Sequence, residues 1–314
     1  MNKGKSFYFK YGGLFSKNNS LPKLIDKSGI KIIFPFYHAV SDENLPHIQN
    51  LYSYPSVKQF TSGLDFILKY FEPMHPDELK DLSAISKNKF LLSFDDGLRA
   101  MYEIVAPLLK QKGIPAIFFI NSDFIDNRKL FFRYKVSVLI DQLKLNSGER
   151  NSLLKFKYAD SDHIDLFAEK NGIDFNTFLN KQKPYLTTEQ IKLMYADGFI
   201  FGGHSIDHPQ FNQINPEEQI RQTTESINFV KSITGQNENY FAFPFTDEGV
   251  GQDYFNSLNQ NDGLGLQLTF GTAGLRKPMG KHIQRIPMEV HELSAKQILN
   301  NEYRWYLIKK MVGR

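Results

Sequence analysis

Short apolar runs, each closed by a polar residue or a glycine, alternate along this chain with stretches of helical spacing. Residues 31–38 (KIIFPFYH), 90–94 (FLLSF), 116–120 (AIFFI), 199–201 (FIF) and 240–243 (YFAF) have strand length. Apolar runs this short and this continuous predict strands buried on both faces. Residues 266–270 and 282–290 supply the last strands. Between the runs lie amphipathic stripes: Phe60, Leu64, Ile67 and Leu68; then Met101, Ile104, Val105, Leu108 and Leu109; then Ile220, Ile227 and Val230. These follow the i, i+3, i+4, i+7 rule for a helix with one buried face. Helix ends are written in as well. Thr187 with Gln190 reads as a capping box, and Asn215-Pro216-Glu217-Glu218 as a cap with proline at the first helical position. Gly113 and Gly235 stand where helices stop. Pro107, inside its stripe, is expected to kink or shorten that helix.

Strand, helix and strand at these lengths make βαβ units, so the chain reads as an α/β domain with a parallel sheet. The rhythm lapses at about residues 125–185, where 131–145 and 151–169 look helical. This stretch is expected to be a helical insertion, because the alternation resumes beyond it. Residues 1–30 are basic, aromatic and glycine-punctuated without a clear period, and read as an irregular arm on the domain. Residues 294–314 read as a basic amphipathic helix packed on it, with Trp305, Ile308 and Val312 as its core-facing stripe. Residues 31–293 are left for the α/β domain.

The 314 residues suffice for one such domain, and 41% hydrophobic content with 28 Phe and 15 Tyr leaves material for a large core. The net charge of +4 is mild and spread out, which gives no case for nucleic acid. The few cations of the last helix are too few to anchor it on a membrane, so no membrane association is expected. No apolar stretch approaches the ~20 residues of a membrane span, and the N-terminus lacks the apolar segment of a secretory signal. The protein is expected to be cytoplasmic. With no cysteine, disulfides and thiolate metal sites are excluded, so any metal must be held by His, Asp or Glu.

Two motifs carry candidate chemistry. The run 90–94 ends in Asp95-Asp96-Gly97, at the rim of the sheet where α/β proteins place their chemistry. Adjacent carboxylates repel unless a cation or a proton separates their roles. The run 199–201 leads into Gly202-Gly203-His204-Ser205-Ile206-Asp207-His208-Pro209. On a helical turn, histidines four apart share one face, within reach of one ion. Either motif alone is also what a capping turn or a solvated loop would show. Together, two imidazoles and one carboxylate are the three-ligand pattern of a catalytic zinc-type site with an open position for water. The second carboxylate is then free to take a proton. Spacing does not say which aspartate does which.

Ser93-Phe94-Asp95-Asp96-Gly97 and His204-Ser205-Ile206-Asp207-His208 resemble the first two motifs of the polysaccharide deacetylases, carbohydrate esterase family 4. The similarity runs over about residues 30–290, and GIPAIFFI after the first helix agrees with it. The resemblance implies a distorted (β/α) barrel and removal of acetyl groups from N- or O-acetylated sugars. It implies Asp95 as general base, and Asp96, His204 and His208 as ligands of one divalent ion. Zinc is the default for that donor set, with nickel, cobalt or iron as alternatives. The family's third motif corresponds to Phe241-Ala242-Phe243-Pro244-Phe245, which implies Pro244 and Phe245 at the substrate, the Phe245 N–H donating to the oxyanion.

This chain departs from the family in two places. The arginine that usually contacts the base falls on Ala242, so something else must orient Asp95. The Leu-x-Leu-His segment that supplies the acid is not legible, and neither His282 nor His291 has its pattern. Tyr37-His38 with Ala242-Phe243-Pro244-Phe245 resembles a subgroup that includes biofilm-polysaccharide deacetylases, which makes His38 the expected active-site histidine. His47 reads as structural or as part of a substrate loop. The expected partner is an acetylated polysaccharide, oligosaccharide or glycan precursor. Two alternatives stand beside it: a non-catalytic carbohydrate-binding relative, and a hydrolase of non-sugar C–N bonds on the same barrel.

Overall fold

The computed structural model describes residues 5, 8, 9, 20–260, 264–278 and 280–312. Eight strand segments, all parallel, form the central sheet: β1 (Pro35–Tyr37), β2 (Leu92–Phe94), β3 (Ala116–Ile120), β4 (Ile200–Gly203), β5 (Tyr240–Ala242), β6 (Leu268–Gly271), β7 (His282–Gln284) and β8 (Ile286–Pro287). Their spatial order is β7-β6-β5-β4-β3-β2-β1-β8. The two ends of that order, β7 and β8, are consecutive in the chain and separated only by Arg285. One extended segment thus pairs with β6 through its first half and with β1 through its second. The sheet closes on itself there, as a (β/α) barrel. Arg285 sits at the seam, its own N–H bonded to Gly271 O at 3.1 Å.

Three two-residue strands, Ile32–Ile33, Glu72–Pro73 and Lys89–Phe90, make a second small parallel sheet. The runs 31–38 and 90–94, read from sequence as single strands, therefore each serve two sheets. Along β3 the side chains alternate: Ile117 and Phe119 pack with Tyr240, Ala242, Phe270 and Ile283 inside the barrel. Ala116, Phe118 and Ile120 face outward to Met101, Val105, Leu109, Ile191 and Met194 of the helices.

The helices are α1 (Leu21–Ser28), α2 (Val57–Leu68), α3 (Ala106–Lys112), α4 (Phe132–Gln142), α5 (Ser147–Leu154), α6 (Ser161–Lys170), α7 (Phe175–Gln182), α8 (Thr188–Ala196), α9 (Pro216–Thr234), α10 (Gln252–Gln260) and α11 (Ala295–Met311). The capping box at Thr187 and the Asn215 cap are formed, and Gly113 and Gly235 end their helices at positive φ. Before Pro107 the chain runs as a π-helical turn, Met101–Val105, and becomes α-helical only at Ala106. Between β3 and β4, α4 to α7 bury a core of their own that includes Tyr134, Leu139, Leu153, Ile164 and Phe178.

Two expectations for the ends of the chain need correction. Residues 21–28, inside the stretch read as irregular, form a helix capped by Gly29, with Leu21, Leu24, Ile25 and Ser28 buried. On α11 the buried positions are Ile298, Leu299, Asn301, Glu302 and Tyr303, not the Trp305 stripe. Trp305 is half-buried against Tyr8, ring centroids 5.5 Å apart, and Val312 is 65% exposed. Polar anchors chose this face: Lys5 pairs with buried Glu302 at 2.6 Å, and the Tyr303 hydroxyl donates to Ile30 O at 2.9 Å.

Candidate active site

The carboxyl ends of β1, β2, β4 and β5 bring the conspicuous residues to one rim of the barrel. β2 passes directly into Asp95, whose N–H bonds to Tyr37 O at 3.0 Å, and Asp96 follows in the left-handed region with φ 70°. β4 ends at Gly203, and His204 continues its ladder with an N–H bond to Ile120 O at 2.9 Å. Gly202 and Gly203 are required by crowding. A Cβ on Gly202 would lie 2.5 Å from the Phe119 ring, and one on Gly203 would lie 2.5 Å from Ser226 Oγ.

Residues 204–209 are not a helical turn, contrary to the reading from their spacing. They form a tight loop with Ser205 (φ 70°) and His208 (φ 64°) in the left-handed region. Left-handed backbone at non-glycine residues costs energy and persists where the surroundings hold it. Here Ser205 Oγ accepts from the His208 N–H at 3.0 Å, and Gln222 of α9 accepts from the Ile206 N–H at 2.7 Å. Asn121 donates to His204 O and to Ser205 Oγ.

Asp96, His204 and His208 are buried and meet at one point. Asp96 Oδ1 lies 3.5 Å from His204 Nε2 and 3.2 Å from His208 Nε2. Ligand atoms each about 2.1 Å from a tetrahedral ion are about 3.4 Å apart, so these spacings suit a small divalent cation. Asp96 Oδ1 is buried without a hydrogen-bond partner, which suits an oxygen that ligates a cation. His204 Nδ1 lies 2.8 Å from Ala242 O, which fixes that nitrogen as the protonated one and leaves Nε2 as the lone-pair donor. Burial drives the His208 imidazole below its ordinary pKa, toward the neutral form a ligand needs. For Asp96, burial opposes ionisation. The His208 and His204 rings and then His38 outweigh it and hold the carboxyl well below its usual range. The residues present fit the ion.

Asp95 is oriented by a residue that the sequence did not single out. Arg285, fully buried, grips it with both arms: Nη1 to Oδ1 at 2.7 Å and Nη2 to Oδ2 at 2.8 Å. Arg285 also donates to Ser93 Oγ at 3.0 Å, and its plane lies between the Phe36 and Phe119 rings at 4.3 and 5.1 Å. Burial works against the charged form of Asp95, and the guanidinium outweighs it, so the carboxylate stays ionised. Its Oδ2 points to the same space, 3.9 Å from His204 Nε2.

His38 stands at the end of β1, 30% exposed, with Nδ1 2.5 Å from Glu289 Oε2. The Glu289 carboxylate also accepts from the backbone N–H groups of His38 and Ala39 at 2.9–3.0 Å. Burial would lower the His38 pKa. The Glu289 charge and hydrogen bond, helped by Asp96 and Asp95, reverse that and raise it to about 9. The Phe36 and Tyr52 rings lie beside it, each with its centroid 5.4 Å away.

Phe245 has φ 57° and a ring 42% exposed, 4.7 Å from the His208 ring; Pro244 before it is buried. The loop is tied down by Asp247, which lies 3.0 Å from His282 Nε2 and accepts from Gln284 Nε2 at 2.5 Å. That contact takes up the imidazole of His282. His47 is buried against Tyr134 and Phe178 and pushed down to about 3 by burial and then Arg99, so it is a neutral core residue. Arg285, Glu289, Gln222 and Tyr134 were all missed. For Arg285 and Glu289 the sequence signal is a charged residue inside an otherwise apolar run, HIQRIPMEV.

A closed parallel barrel with a carboxylate pair and a histidine pair on its carboxyl rim defines a class of hydrolase. The polysaccharide deacetylase profile matches residues 83–154 and 157–262, more than half of the chain. The chain belongs to the polysaccharide deacetylase family and is a deacetylase-type hydrolase. No curated protein matches the sequence. Among solved structures, the deacetylase PplD of Streptococcus pyogenes in complex with acetate is similar at TM-score 0.58 and 18% identity, over 87% of this chain and 98% of that one. IcaB from Ammonifex degensii matches at 0.55 and 19%, over 87% and 97%. A de-N-acetylase from Aggregatibacter actinomycetemcomitans matches at 0.56 and 16%, over 86% and 99%. At these identities the likeness concerns the fold.

Proposed function

We propose that this protein is a metal-dependent deacetylase of an acetylated glycan, cleaving an N-acetyl amide or O-acetyl ester. The observation that carries the reading is the orphaned Asp96 Oδ1, buried and faced by two imidazole nitrogens at 3.2 and 3.5 Å. Asp96, His204 and His208 would hold one divalent ion, zinc by default, with nickel, cobalt or iron also compatible with the donors. Such an ion, when bound, polarises the acyl carbonyl and acidifies water. The chain does the rest. Asp95, fixed by Arg285, takes the proton of the attacking water at Oδ2 as the new C–O bond forms. The Phe245 N–H donates to the oxygen that gains charge. His38, held protonated by Glu289, gives its proton to the departing amine or alcohol as the acyl bond breaks. Phe245, exposed beside His208, offers a face to the sugar.

Acetate release from N-acetylated chito-oligosaccharides and from an O-acetylated glycan tests this reading, with the Asp95→Asn protein alongside. The variant is expected to fold and to keep its metal while losing about 10²–10⁴ in rate, the scale for removal of a general base. Near-normal turnover would move the base elsewhere.

A further inference from the structure

The helical stretch between β3 and β4 reaches into this site, where the Phe131 ring lies 4.4 Å from the His208 ring and Tyr134 hydrogen-bonds a carboxylate. Tyr134, in the first turn of α4, is fully buried, and its hydroxyl donates to Asp96 Oδ2 at 2.7 Å. The ring is held on several sides, by Phe131 (5.0 Å), His47 (5.2 Å) and Tyr185 (6.2 Å). The Tyr134 oxygen is in turn 3.2 Å from the Tyr52 hydroxyl, and the Tyr52 ring lies against His38. With the Tyr134 proton committed to Asp96, Tyr52 is the donor of that second bond.

The two oxygens of Asp96 thus have separate neighbours: Oδ2 the phenol, Oδ1 the imidazoles. A carboxylate with both oxygens free can take an ion with both, and would use up a coordination position that chemistry needs. A catalytic zinc-type site has three protein ligand atoms and one position left open. We infer that Tyr134 is a positioning residue that restricts Asp96 to a single ligating oxygen and so keeps a coordination position open for water and the acetyl group. This rests on the metal reading given above. It makes the helical stretch between β3 and β4 part of the metal centre, with Tyr52 as the link between that centre and His38.

The test compares wild type, Tyr134→Phe, Tyr52→Phe and His204→Ala, using zinc affinity by chelator competition and the visible absorption of cobalt-loaded protein. Tyr134→Phe is expected to weaken zinc binding about 10–100-fold, the usual effect of losing a ligand's outer partner. Its cobalt bands should weaken as the coordination number rises. With saturating metal, kcat should stay depressed while KM changes little. Tyr52→Phe should show a smaller loss of affinity in the same direction, and it carries the test if Tyr134→Phe does not fold. Wild-type affinity and wild-type cobalt bands in the Tyr134→Phe protein, or in Tyr52→Phe if that is the one that folds, would overturn the inference alone. A wild-type protein holding no metal that His204→Ala removes would overturn the metal reading, and this inference with it.

Discussion

At the scale of single residues, the two charge pairs of the site do different work. Arg285 and Asp95 form a bidentate pair that keeps Asp95 ionised and immobile, and lowers its basicity in doing so. Glu289 acts in the opposite sense on His38, raising it to about 9 from an ordinary value of 6.5, so the imidazole is cationic at neutral pH. A raised folded-state pKa contributes stability that is complete below about pH 6.5 and is lost as pH rises through about 9. In the proposed reaction the same protonation supplies the acid. The plot of kcat/KM against pH should fall on its alkaline side as His38 deprotonates, and Glu289→Gln should move that fall to lower pH. An alkaline limb that Glu289→Gln leaves in place would assign the acid to another group. Asp95, Asp96, His204, His208 and His38 were legible because carboxylates and histidines stand out at the ends of apolar runs. Arg285 and Glu289 were not, because their partners are 190 and 251 residues away in sequence and only barrel closure brings them together.

At the scale of elements, the histidine loop shows what spacing can and cannot say. A four-residue interval suggested a helical turn, yet two left-handed residues and the Gln222 and Asn121 bonds place both rings on one ion-sized space. Local pattern grouped the two histidines but gave the wrong backbone, since the loop is shaped by α9 and by Asn121 after β3, which contact it only in the fold. The strand feeding it has little slack. Gly202→Ala would put a methyl group 2.5 Å from the Phe119 ring and 2.9 Å from Tyr240 O. Overpacking of that kind costs typically 1–3 kcal/mol, and a backbone carbonyl cannot swing aside as a side chain can. A thermal melt should show the loss, and a Gly202→Ala protein as stable as wild type would mean that β4 is less tightly held than its contacts indicate. Helix α1 was readable and was missed. Leu21, Leu24, Ile25 and Ser28 have helical spacing, with Pro22 in the first turn and Gly29 at the end, but the basic, aromatic residues before them hid it. In α11 several stripes were available to the sequence, and the Glu302 and Tyr303 anchors selected among them.

At the scale of the molecule, the seam of the barrel and its chemistry coincide. The segment that closes the sheet between β6 and β1 carries Arg285 at its midpoint, and the guanidinium spans from Gly271 O to Asp95. Closing the fold and orienting Asp95 are one event. Parallel direction followed from the βαβ rhythm, whereas α4 to α7 were seen only as helical, with nothing to show that Tyr134 would touch Asp96. The central claim is that three residues on this rim hold the ion on which acetyl hydrolysis depends. Metal-stripped protein titrated with zinc, with acetate release followed at each addition, tests it most directly. The rate should rise from near zero and level off at a single equivalent per chain, and His204→Ala should show no such rise. Full turnover in the stripped protein, or the same titration curve from His204→Ala, would contradict the account.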